Sequence, residues 1–261
     1  MLYPRITKLY MYKPPDAYTL DILINDRLWA SKPERFNDPF DCDLEYVKGF
    51  TEKDYLAATC KKYGPRDQWP SEIVQYVSEN LDADGNFTPA GRGRVNKAIQ
   101  EGFIEKNKNS GVICLSEVCD SILMWSHYTK KHTGVCFEFT RAEDNDLGDE
   151  EICSPVRYER HYPQIDLGWL THQDGRVMEA MMWTKSWEWA YEQEWRLITD
   201  CGGRECPLPG PISRVILGAK IEDWFKSCIE TLCKNRNIPC VQARKANREF
   251  RIEVPLIGTR R

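Results

Sequence analysis

Two glutamates, Glu192 and Glu194, form the most suggestive pair of reactive side chains in this chain. Glu194 begins a predicted strand that runs to Thr199, and residues two apart in an extended segment point to the same face. Both carboxylates could therefore reach one ligand at the edge of a sheet. Such a pair can orient a hydroxyl and stabilise a developing positive charge, and two close carboxylates raise the pKa of one of them. The competing interpretation is that Glu192 is solvated and Glu194 pairs with Arg196 or another cation.

A histidine, His127, lies in the segment MWSHY, which we interpret as a short apolar and aromatic turn. It could act as a base, as a proton donor or as a group that orients a ligand. A buried structural histidine fits the same pattern equally well. The neighbouring Ser126 does not indicate a nucleophile, because adjacent side chains on a strand diverge and the chain has no GxSxG elbow. The sequence therefore argues against a serine hydrolase.

The loop FNDPFDCD, residues 36–43, is the second candidate region. Asn37 and Asp38 belong to an Asn-Asp-Pro sequence, which is ordinary turn chemistry. Asp38, Asp41 and Asp43 together could hold a divalent cation, but the EF-hand spacing is absent and a turn is favoured. The chain also lacks a Walker loop, a GxGxxG and an HExxH motif, which removes the commonest kinase, dinucleotide-fold and zinc-protease interpretations.

Four tryptophans lie close together in sequence: Trp183, Trp187, Trp189 and Trp195. They could form the floor of a pocket for a flat ring such as adenine or nicotinamide, although core packing explains any one of them equally well. Lys185 lies among them and is a candidate for a charged wall of the same pocket.

The 11 cysteines predict reduced thiols, because their number is odd and they are scattered through predicted strands and helices. Three pairs have four intervening residues: Cys114/Cys119, Cys201/Cys206 and Cys228/Cys233. None has the two-residue gap of a zinc knuckle, so buried free thiols are favoured over a metal site.

The composition bounds the class of protein. With 261 residues, 41% of them hydrophobic, the chain can bury the core of one large domain or two small ones. Its net charge of −4 supplies no overall basic field for a nucleic-acid backbone. No run of about 18 uncharged apolar residues occurs, and the first residues lack the apolar region of a secretory signal. We therefore expect a cytoplasmic protein that has no membrane partner.

The hydrophobic patterning indicates one α+β domain over residues 1–261, with a mixed or antiparallel sheet. A strand over Lys8–Tyr12 precedes a helix over Ala17–Asn25 that Asp16 can cap, and a second strand covers Arg27–Ala30. Residues 50–110 are predicted to form a helical insertion within this domain.

The second half of the chain is predicted to be rich in strands. Apolar residues at helical spacing from Ile221 to Cys233 also predict one amphipathic helix there. The predicted strands cover Val112–Ser116, Val135–Thr140, Ile152–Tyr158, Glu194–Thr199 and Arg214–Leu217, with two more near Val241 and over Phe250–Val254.

Several segments in this order resemble a widespread family of bacterial and phage-associated domains of unknown function. The segments are KLYMYK, WASKPERFNDPFDCD, CLSE, ILMWSHYTKKHTGVCFEF and TKSWEWAYEQEWRLI. In that family a Leu-Tyr-Lys-Tyr-Arg strand, a Phe-Asn-Asp-Pro-Phe loop, a Met-Trp-x-His-Tyr turn and a Glu-Trp-Arg strand recur in the same order. The resemblance covers roughly residues 9–217.

A second resemblance carries the functional hypothesis. An initial strand with a polar residue, a helix, a Trp-x-Ser strand and a late strand preceded by Glu-x-Glu are similar to the ADP-ribosyltransferase superfamily. The resemblance implies a split antiparallel sheet that clamps NAD, and a late glutamate that stabilises the oxocarbenium ion as nicotinamide leaves. It places Tyr12 or Lys13 at the first position, Ser31 at the second and Glu194 at the third. Glu192 completes the acidic pair.

The candidate catalytic residues are Glu194, Glu192 and His127, and no metal ligand is assigned. The candidate NAD-binding residues are Tyr12, Lys13, Ser31, Asn37, Asp38, Trp125, Tyr128 and Lys185.

Our leading hypothesis is an NAD-dependent ADP-ribosyltransferase or NAD glycohydrolase that acts as a toxin or phage-defence effector. Its expected partners are NAD, an unknown macromolecular acceptor, either protein or nucleic acid, and a neutralising protein. One alternative is a nucleotide-sensing or partner-binding module without turnover. Another is a metal-dependent nuclease that uses Asp38, Asp41, Asp43, His127 and Glu194.

Overall fold

The computed structural model describes residues 2–42, 45–46, 51–107, 109–165 and 176–256. Within these ranges the α-helices are α1 Ala17–Asn25, α2 Glu52–Tyr63, α3 Ser71–Asn80, α4 Pro89–Asn107, α5 Ile122–Tyr128, α6 Arg176–Met182 and α7 Asp223–Asn235. Short 3₁₀ helices cover Pro33–Arg35, Arg66–Gln68 and Trp187–Glu192. The strands are β1 Lys8–Lys13, β2 Arg27–Ala30, β3 Glu45–Tyr46, β4 Gly111–Ser116, β5 Val135–Thr140, β6 Cys153–Pro155, β7 Arg157–Glu159, β8 Gln164–Ile165, β9 Thr184–Ser186, β10 Glu194–Thr199, β11 Arg204–Pro207, β12 Ile212–Leu217, β13 Cys240–Gln242, β14 Arg244–Lys245 and β15 Ile252–Glu253.

A seven-stranded sheet organises the fold, in the order β13-β12-β5-β1-β4-β10-β6. Its pairs are antiparallel except for β12 with β13. The predicted α+β class and the mostly antiparallel sheet are therefore confirmed. Four two-stranded sheets accompany the seven-stranded sheet in the described residues and pair β2 with β11, β3 with β8, β7 with β9 and β14 with β15.

The alternation of side chains along β1 separates two hydrophobic layers. Leu9 and Met11 belong to the main core, which also includes residues of α1 and α7. Tyr12 belongs to a second cluster on the opposite face, together with Met124 and Trp125 of α5. The sheet is therefore covered on both faces, and any site on it must lie where this covering is interrupted.

The pairing between β1 and β4 is the shortest in the seven-stranded sheet. β1 pairs with β5 along its whole length, from Lys8 opposite Thr140 to Lys13 opposite Val135. With β4 it shares a single register pair, Tyr10 opposite Ser116. Beyond that pair the two strands part, and Ser31 bonds to the far end of β4 by reciprocal backbone hydrogen bonds with Val112. Within the described part of the chain, the middle of β4 therefore has no partner strand on the side that faces β1.

Local signals explain the elements that surround this gap. The carboxylate of Asp16 accepts a hydrogen bond from the amide of Thr19, 2.8 Å away, and begins α1 as predicted. The predicted strand over Ile152–Tyr158 is in fact two strands, β6 and β7, which pair with different partners, β10 and β9. The segment MWSHY, predicted as a turn, lies in helix α5, where the Ser121 side chain caps the amide of Met124.

The chain turns back sharply after α5. Lys130, Lys131 and His132 all have positive backbone φ angles, which residues other than glycine rarely adopt. Gly134 then passes so close to β1 that a β-carbon there would lie 2.0 Å from the carbonyl oxygen of Lys13. Only glycine allows this approach, which sets the end of β1 against the start of β5.

Helices α2, α3 and α4 share a small core of their own, with Tyr55, Trp69, Val77 and Val95 buried in it. The first of these helices begins at Thr51 with a reciprocal capping box to Asp54. No described helix combines the length and the apolarity that a membrane span requires.

Candidate functional site

A cleft of about 470 Å³ opens where β1 and β4 part. Residues 11–13 of β1 and residues 113–115 of β4 line its two sides. Nine of the candidate residues line it: Tyr12, Lys13, Ser31, Asn37, His127, Tyr128, Lys185, Glu192 and Glu194. Residues from six parts of the chain therefore meet around one opening in the sheet.

Two candidate residues do not line the cleft. Trp125 is fully buried behind it, where its ring packs edge-on against Tyr12 and its indole N–H donates to the Cys119 carbonyl. Asp38 accepts a hydrogen bond from the indole N–H of Trp189 at 2.6 Å. Trp125 is completely buried and therefore does not touch a ligand in the cleft, whereas the role of Asp38 in binding stays a prediction.

The four clustered tryptophans do not form the floor of the cleft. Trp195 points to the opposite face of the sheet from Glu194 and is completely buried in the main core. Trp183 is buried and donates to the Arg196 carbonyl, whereas Trp187 is half exposed. The proposed aromatic floor was therefore wrong, because alternation along β10 and the intervening 3₁₀ helix send these rings in different directions.

A buried group of five charged residues forms one end of the cleft. We call it the Lys185 cluster; its members are Asp41, Lys185, Glu192, Glu194 and Arg196. The Lys185 ammonium lies 2.6 Å from a Glu192 oxygen and 2.8 Å from a Glu194 oxygen. It also lies 3.6 Å from Asp41. One cation is therefore shared by three carboxylates.

Arg196 supplies the second cation of this cluster. Its Nε donates to Oε1 of Glu194 at 2.8 Å, and its Nη2 donates to Oδ2 of Asp41 at 2.7 Å. Its Nη1 donates to the Met182 carbonyl. The guanidinium is completely buried, so these contacts fix both carboxylates in a site with little solvent. Three carboxylates face two cations, which gives the fully ionised cluster a net charge of −1.

The environment moves the pKa values of the two glutamates in opposite directions. Burial raises the pKa of Glu192, and the neighbouring Lys185 ammonium and Tyr128 hydroxyl only partly offset this. For Glu194 burial acts in the same sense, but Arg196 and Lys185 outweigh it and lower its pKa to about 2. Burial would lower the pKa of Lys185, yet the carboxylates of Glu194, Glu192 and Asp41 raise it. Glu194 is therefore an anion at neutral pH, and Glu192 is the easier of the two to protonate.

The two glutamates converge for a different reason from the one that the sequence suggested. Glu192 ends the 3₁₀ helix Trp187–Glu192 rather than lying in the strand, and Gln193 follows with a positive φ of 43°. This left-handed residue turns the chain before Glu194 begins β10. The side chain of Glu192 is 3% exposed, so the alternative that it is solvated is also wrong. The pairing of Glu194 with Arg196 is confirmed.

Two tyrosines complete the surroundings of the acidic pair. The Tyr128 hydroxyl donates to Oε1 of Glu192 at 2.5 Å, which fixes the oxygen that Lys185 does not hold. The Tyr158 hydroxyl accepts the backbone N–H of Glu194 at 2.7 Å. Sequence reasoning missed Tyr158, since nothing near it in sequence indicates that β7 lies beside the start of β10.

The other candidate residues that line the cleft differ in how firmly contacts within the protein hold their side chains. The Tyr12 hydroxyl donates to the Val118 carbonyl at 2.8 Å and is held in place. Lys13 lies at the end of β1, where burial lowers its pKa. His127 is exposed, and its ring centroid lies 6.4 Å from that of Tyr191. Arg35, which sequence reasoning did not select, also lines the cleft.

Cys114 occupies the middle of β4 and is exposed, unlike its neighbours in that strand. It lines the cleft opposite Tyr12, and its exposure results from the missing strand pairing. All eleven cysteines are free thiols, but Cys114 and Cys228 are exposed, so the expectation of burial was wrong for these two. Although Cys114 is open to the cleft, the many protein atoms that surround it displace bulk water, and this desolvation together with the Glu194 carboxylate raises the pKa of Cys114, so it is a thiol at neutral pH.

No group of three histidine, cysteine or acidic side chains that could hold a metal ion occurs among the described residues. Asp43, one of the residues considered for such a site, lies outside the described residues. Asp41 and Glu194 are held by Arg196 and Lys185, so cations of the protein occupy the positions in which a metal ion would bind them.

A model of the family described as "Protein of unknown function (DUF2971)" matches residues 124–197. The matched stretch runs from α5 into β10 and includes Tyr128, Lys185, Glu192 and Glu194, whereas β1 and the loop with Asp41 lie outside it. Searches of curated proteins and of solved structures give no match. The match at residues 124–197 is consistent with the expected resemblance to a family of unknown function.

Proposed function

We propose that this protein consumes NAD, as an ADP-ribosyltransferase or an NAD glycohydrolase, with Glu194 as the catalytic carboxylate. The observation that carries this proposal is the pair Glu192 and Glu194, which face one cleft with pKa values moved in opposite directions. Pairs of titratable groups whose environments separate their pKa values are typical of acid–base catalytic sites.

Glu194 has the properties that cleavage of the nicotinamide–ribose bond demands. When nicotinamide leaves, positive charge develops on the ribose as an oxocarbenium ion. A carboxylate that stays ionised in a buried site stabilises that charge more strongly than water does, because the site is already oriented and has a low dielectric constant. The contacts from Arg196 and Lys185 keep Glu194 both ionised and immobile.

Glu192 suits a different step. Its raised pKa makes it a better proton acceptor than an ordinary glutamate, so it is the group that takes the proton from the attacking hydroxyl or water. Lys185 and Tyr128 orient both of its oxygens. One carboxylate thus stabilises charge and the other moves a proton.

The parted strands support the same proposal. A sheet that opens between two central strands agrees with the split sheet that the resemblance to the ADP-ribosyltransferase superfamily implies. Lys13 and Arg35 line the cleft and also an adjoining hollow of about 390 Å³. We assign these two basic side chains to the diphosphate of NAD, which would extend from one hollow into the other.

The test follows nicotinamide release and ADP-ribose incorporation by mass spectrometry, with and without cell lysate. Wild type should release nicotinamide, and Glu194→Gln should lose at least a hundredfold in rate, as expected for removal of a preorganised charge. Glu194→Gln should still fold, because Asp41 and Glu192 remain as partners for the two cations. Glu188→Gln, an exposed glutamate on the neighbouring 3₁₀ helix, is the matched control and should keep the wild-type rate. Intact NAD under every condition would refute the proposal.

A module that binds a nucleotide without consuming it is the second candidate. The observation that favours it is that both oxygens of Glu194 already accept hydrogen bonds from Arg196 and Lys185. Such a module would bind NAD with unchanged affinity in Glu194→Gln and would release no nicotinamide in either form.

A role as a toxin or defence effector is tested in cells. Expression of wild type should stop growth and deplete NAD, and Glu194→Gln should do neither. Arrest of growth by both forms would count against an effect of NAD cleavage.

A further inference from the structure

A residue that lines the cleft has one buried polar atom without a hydrogen-bond partner among the described residues. Oδ1 of Asp41 is buried and accepts no hydrogen bond from any described residue. The side chain as a whole is 4% exposed, and the residue lines the cleft. A buried acceptor without a partner costs free energy, so such an atom indicates a place where a ligand or a water molecule donates.

The rest of the Asp41 side chain is held firmly. Oδ2 accepts from Nη2 of Arg196 at 2.7 Å and lies 3.6 Å from the Lys185 ammonium. The thiol of Cys42 approaches the same carboxylate, but a thiol is only a weak donor. The carboxylate therefore cannot turn to satisfy Oδ1 without giving up its contact with a completely buried arginine.

We propose that Oδ1 of Asp41 accepts a hydrogen bond from an uncharged donor group of the substrate and so selects the substrate. This inference rests on the proposed function and names the recognition that it requires. In NAD the donor is either the amide of the nicotinamide ring or a hydroxyl of the ribose attached to that ring. A substrate with an anion at this point meets a carboxylate and is rejected.

Substitution of Asp41 by asparagine inverts this preference. Arg196 is a donor, so the amide oxygen of the asparagine turns towards it and the NH₂ group takes the place of Oδ1. The acceptor in the cleft becomes a donor, with almost no change in size. The variant should fold, because three carboxylates face two cations in wild type and the loss of one balances the cluster.

The experiment measures the affinities of wild type and Asp41→Asn for NAD and for nicotinic acid adenine dinucleotide by calorimetry. The second compound replaces the ring amide by a carboxylate. If the amide is the donor, wild type should prefer NAD by roughly ten- to a hundredfold, and Asp41→Asn should lose or reverse this preference. The exposed Asp223→Asn serves as the matched control and should behave as wild type.

A second arm uses NAD analogues that lack the 2′- or 3′-hydroxyl of the nicotinamide ribose. If a ribose hydroxyl is the donor, one analogue should bind wild type at least tenfold more weakly than NAD and should bind Asp41→Asn no more weakly than NAD. The comparisons with wild type need no variant, so they remain decisive even if Asp41→Asn fails to fold.

The outcomes separate this inference from the proposed function. Selective binding without nicotinamide release would refute the proposed NAD-consuming activity and support the role of Asp41 in recognition. Nicotinamide release by a protein that does not discriminate among these compounds would keep the enzyme and refute the role of Asp41. Failure of wild type to bind NAD at all would refute both.

Discussion

Two buried ionic clusters lie along one row of cross-strand partners in the sheet, and they differ in the number of carboxylates relative to cations. Arg214, Glu138, Tyr10, Ser116 and Glu194 are successive cross-strand partners along this row. The Lys185 cluster lies at the Glu194 end. At the other end Glu138 accepts a hydrogen bond from Ser213 and forms ion pairs with Arg214 and Lys8. We call these four residues the Glu138 cluster.

The Glu138 cluster has one carboxylate for two cations. Burial alone would raise the pKa of Glu138, but Ser213 and Arg214 outweigh it and lower the pKa. Glu138 has a strand partner on both sides, Tyr10 of β1 and Arg214 of β12, although the β12 register shifts between Ile212 and Arg214, and it does not line the cleft. It has the properties of a structural ion pair.

The Lys185 cluster has more carboxylates than cations, opposed pKa shifts and an acceptor without a partner, and it borders parted strands. Burial is common to both clusters, so burial does not mark the functional one. Both clusters also have unequal numbers of opposite charges, and each holds a buried polar atom without a partner among the described residues, Oδ1 of Asp41 in one and Nε of Arg214 in the other. The Lys185 cluster is distinguished by its opposed pKa shifts and by the cleft that it borders. Parallel changes in the two clusters test this distinction.

The largest expected effect is on stability, from loss of the shared cation. Lys185→Met leaves three buried carboxylates with one cation, which should cost about 3–5 kcal/mol in the free energy of unfolding. Lys8→Met removes a cation that is 38% exposed from the Glu138 cluster and should cost less than about 1 kcal/mol. Chemical denaturation of both variants measures the difference. Equal losses would show that the two lysines have the same role.

Next in size is the effect on turnover. Glu194→Gln should lower kcat by about 10²–10³, which corresponds to about 3–4 kcal/mol of transition-state stabilisation. Glu138→Gln removes a carboxylate from the other cluster and should reduce stability but leave kcat per folded molecule unchanged. Steady-state rates corrected for the folded fraction provide the comparison. A similar loss of kcat in Glu138→Gln would contradict the assignment of catalysis to the cleft.

Acid should destabilise the protein through Glu194. Its pKa falls from 4.5 to about 2 on folding, so its contribution is present above about pH 4.5 and is lost as the pH falls towards 2. This shift corresponds to about 3 kcal/mol. Urea denaturation at several pH values should show less acid sensitivity in Glu194→Gln than in wild type. An unchanged pH dependence would mean that the two cations do not stabilise the ionised form of Glu194.

The smallest expected effect is a change in the pH profile of the reaction. Because the pKa of Glu192 is raised and its ionised form accepts a proton, the rate should fall about tenfold per pH unit below that pKa. Glu192→Gln should be slower and should lose this acid limb, whereas Glu188→Gln should keep it. If the limb persists in Glu192→Gln, Glu192 is not the proton acceptor.

Many elements of the fold could be predicted because their signals are local. The Asp16 cap, the apolar stripe of α1 and the alternation of β1, β5 and β10 each involve neighbours in sequence. The candidate site was also largely predictable by residue type, since acidic, basic and aromatic side chains are concentrated in three short segments. The predictions were wrong where one predicted strand is in fact two strands with different partners, β6 and β7. They were also wrong where an aromatic ring lies in the core instead of in the cleft, as for Trp125 and Trp195.

The sequence by itself determined which side chains are available and which strands present Glu194 and Arg196 on one face, since that depends only on alternation along the chain. Only the tertiary structure decided that Asp41 and Lys185, 144 positions apart in number, lie 3.6 Å from each other. It also decided that β1 and β4 part after one register pair, and that Glu192 is buried with a raised pKa. These features depend on contacts between distant segments and on the exclusion of water, and neither property is encoded in any short stretch of residues.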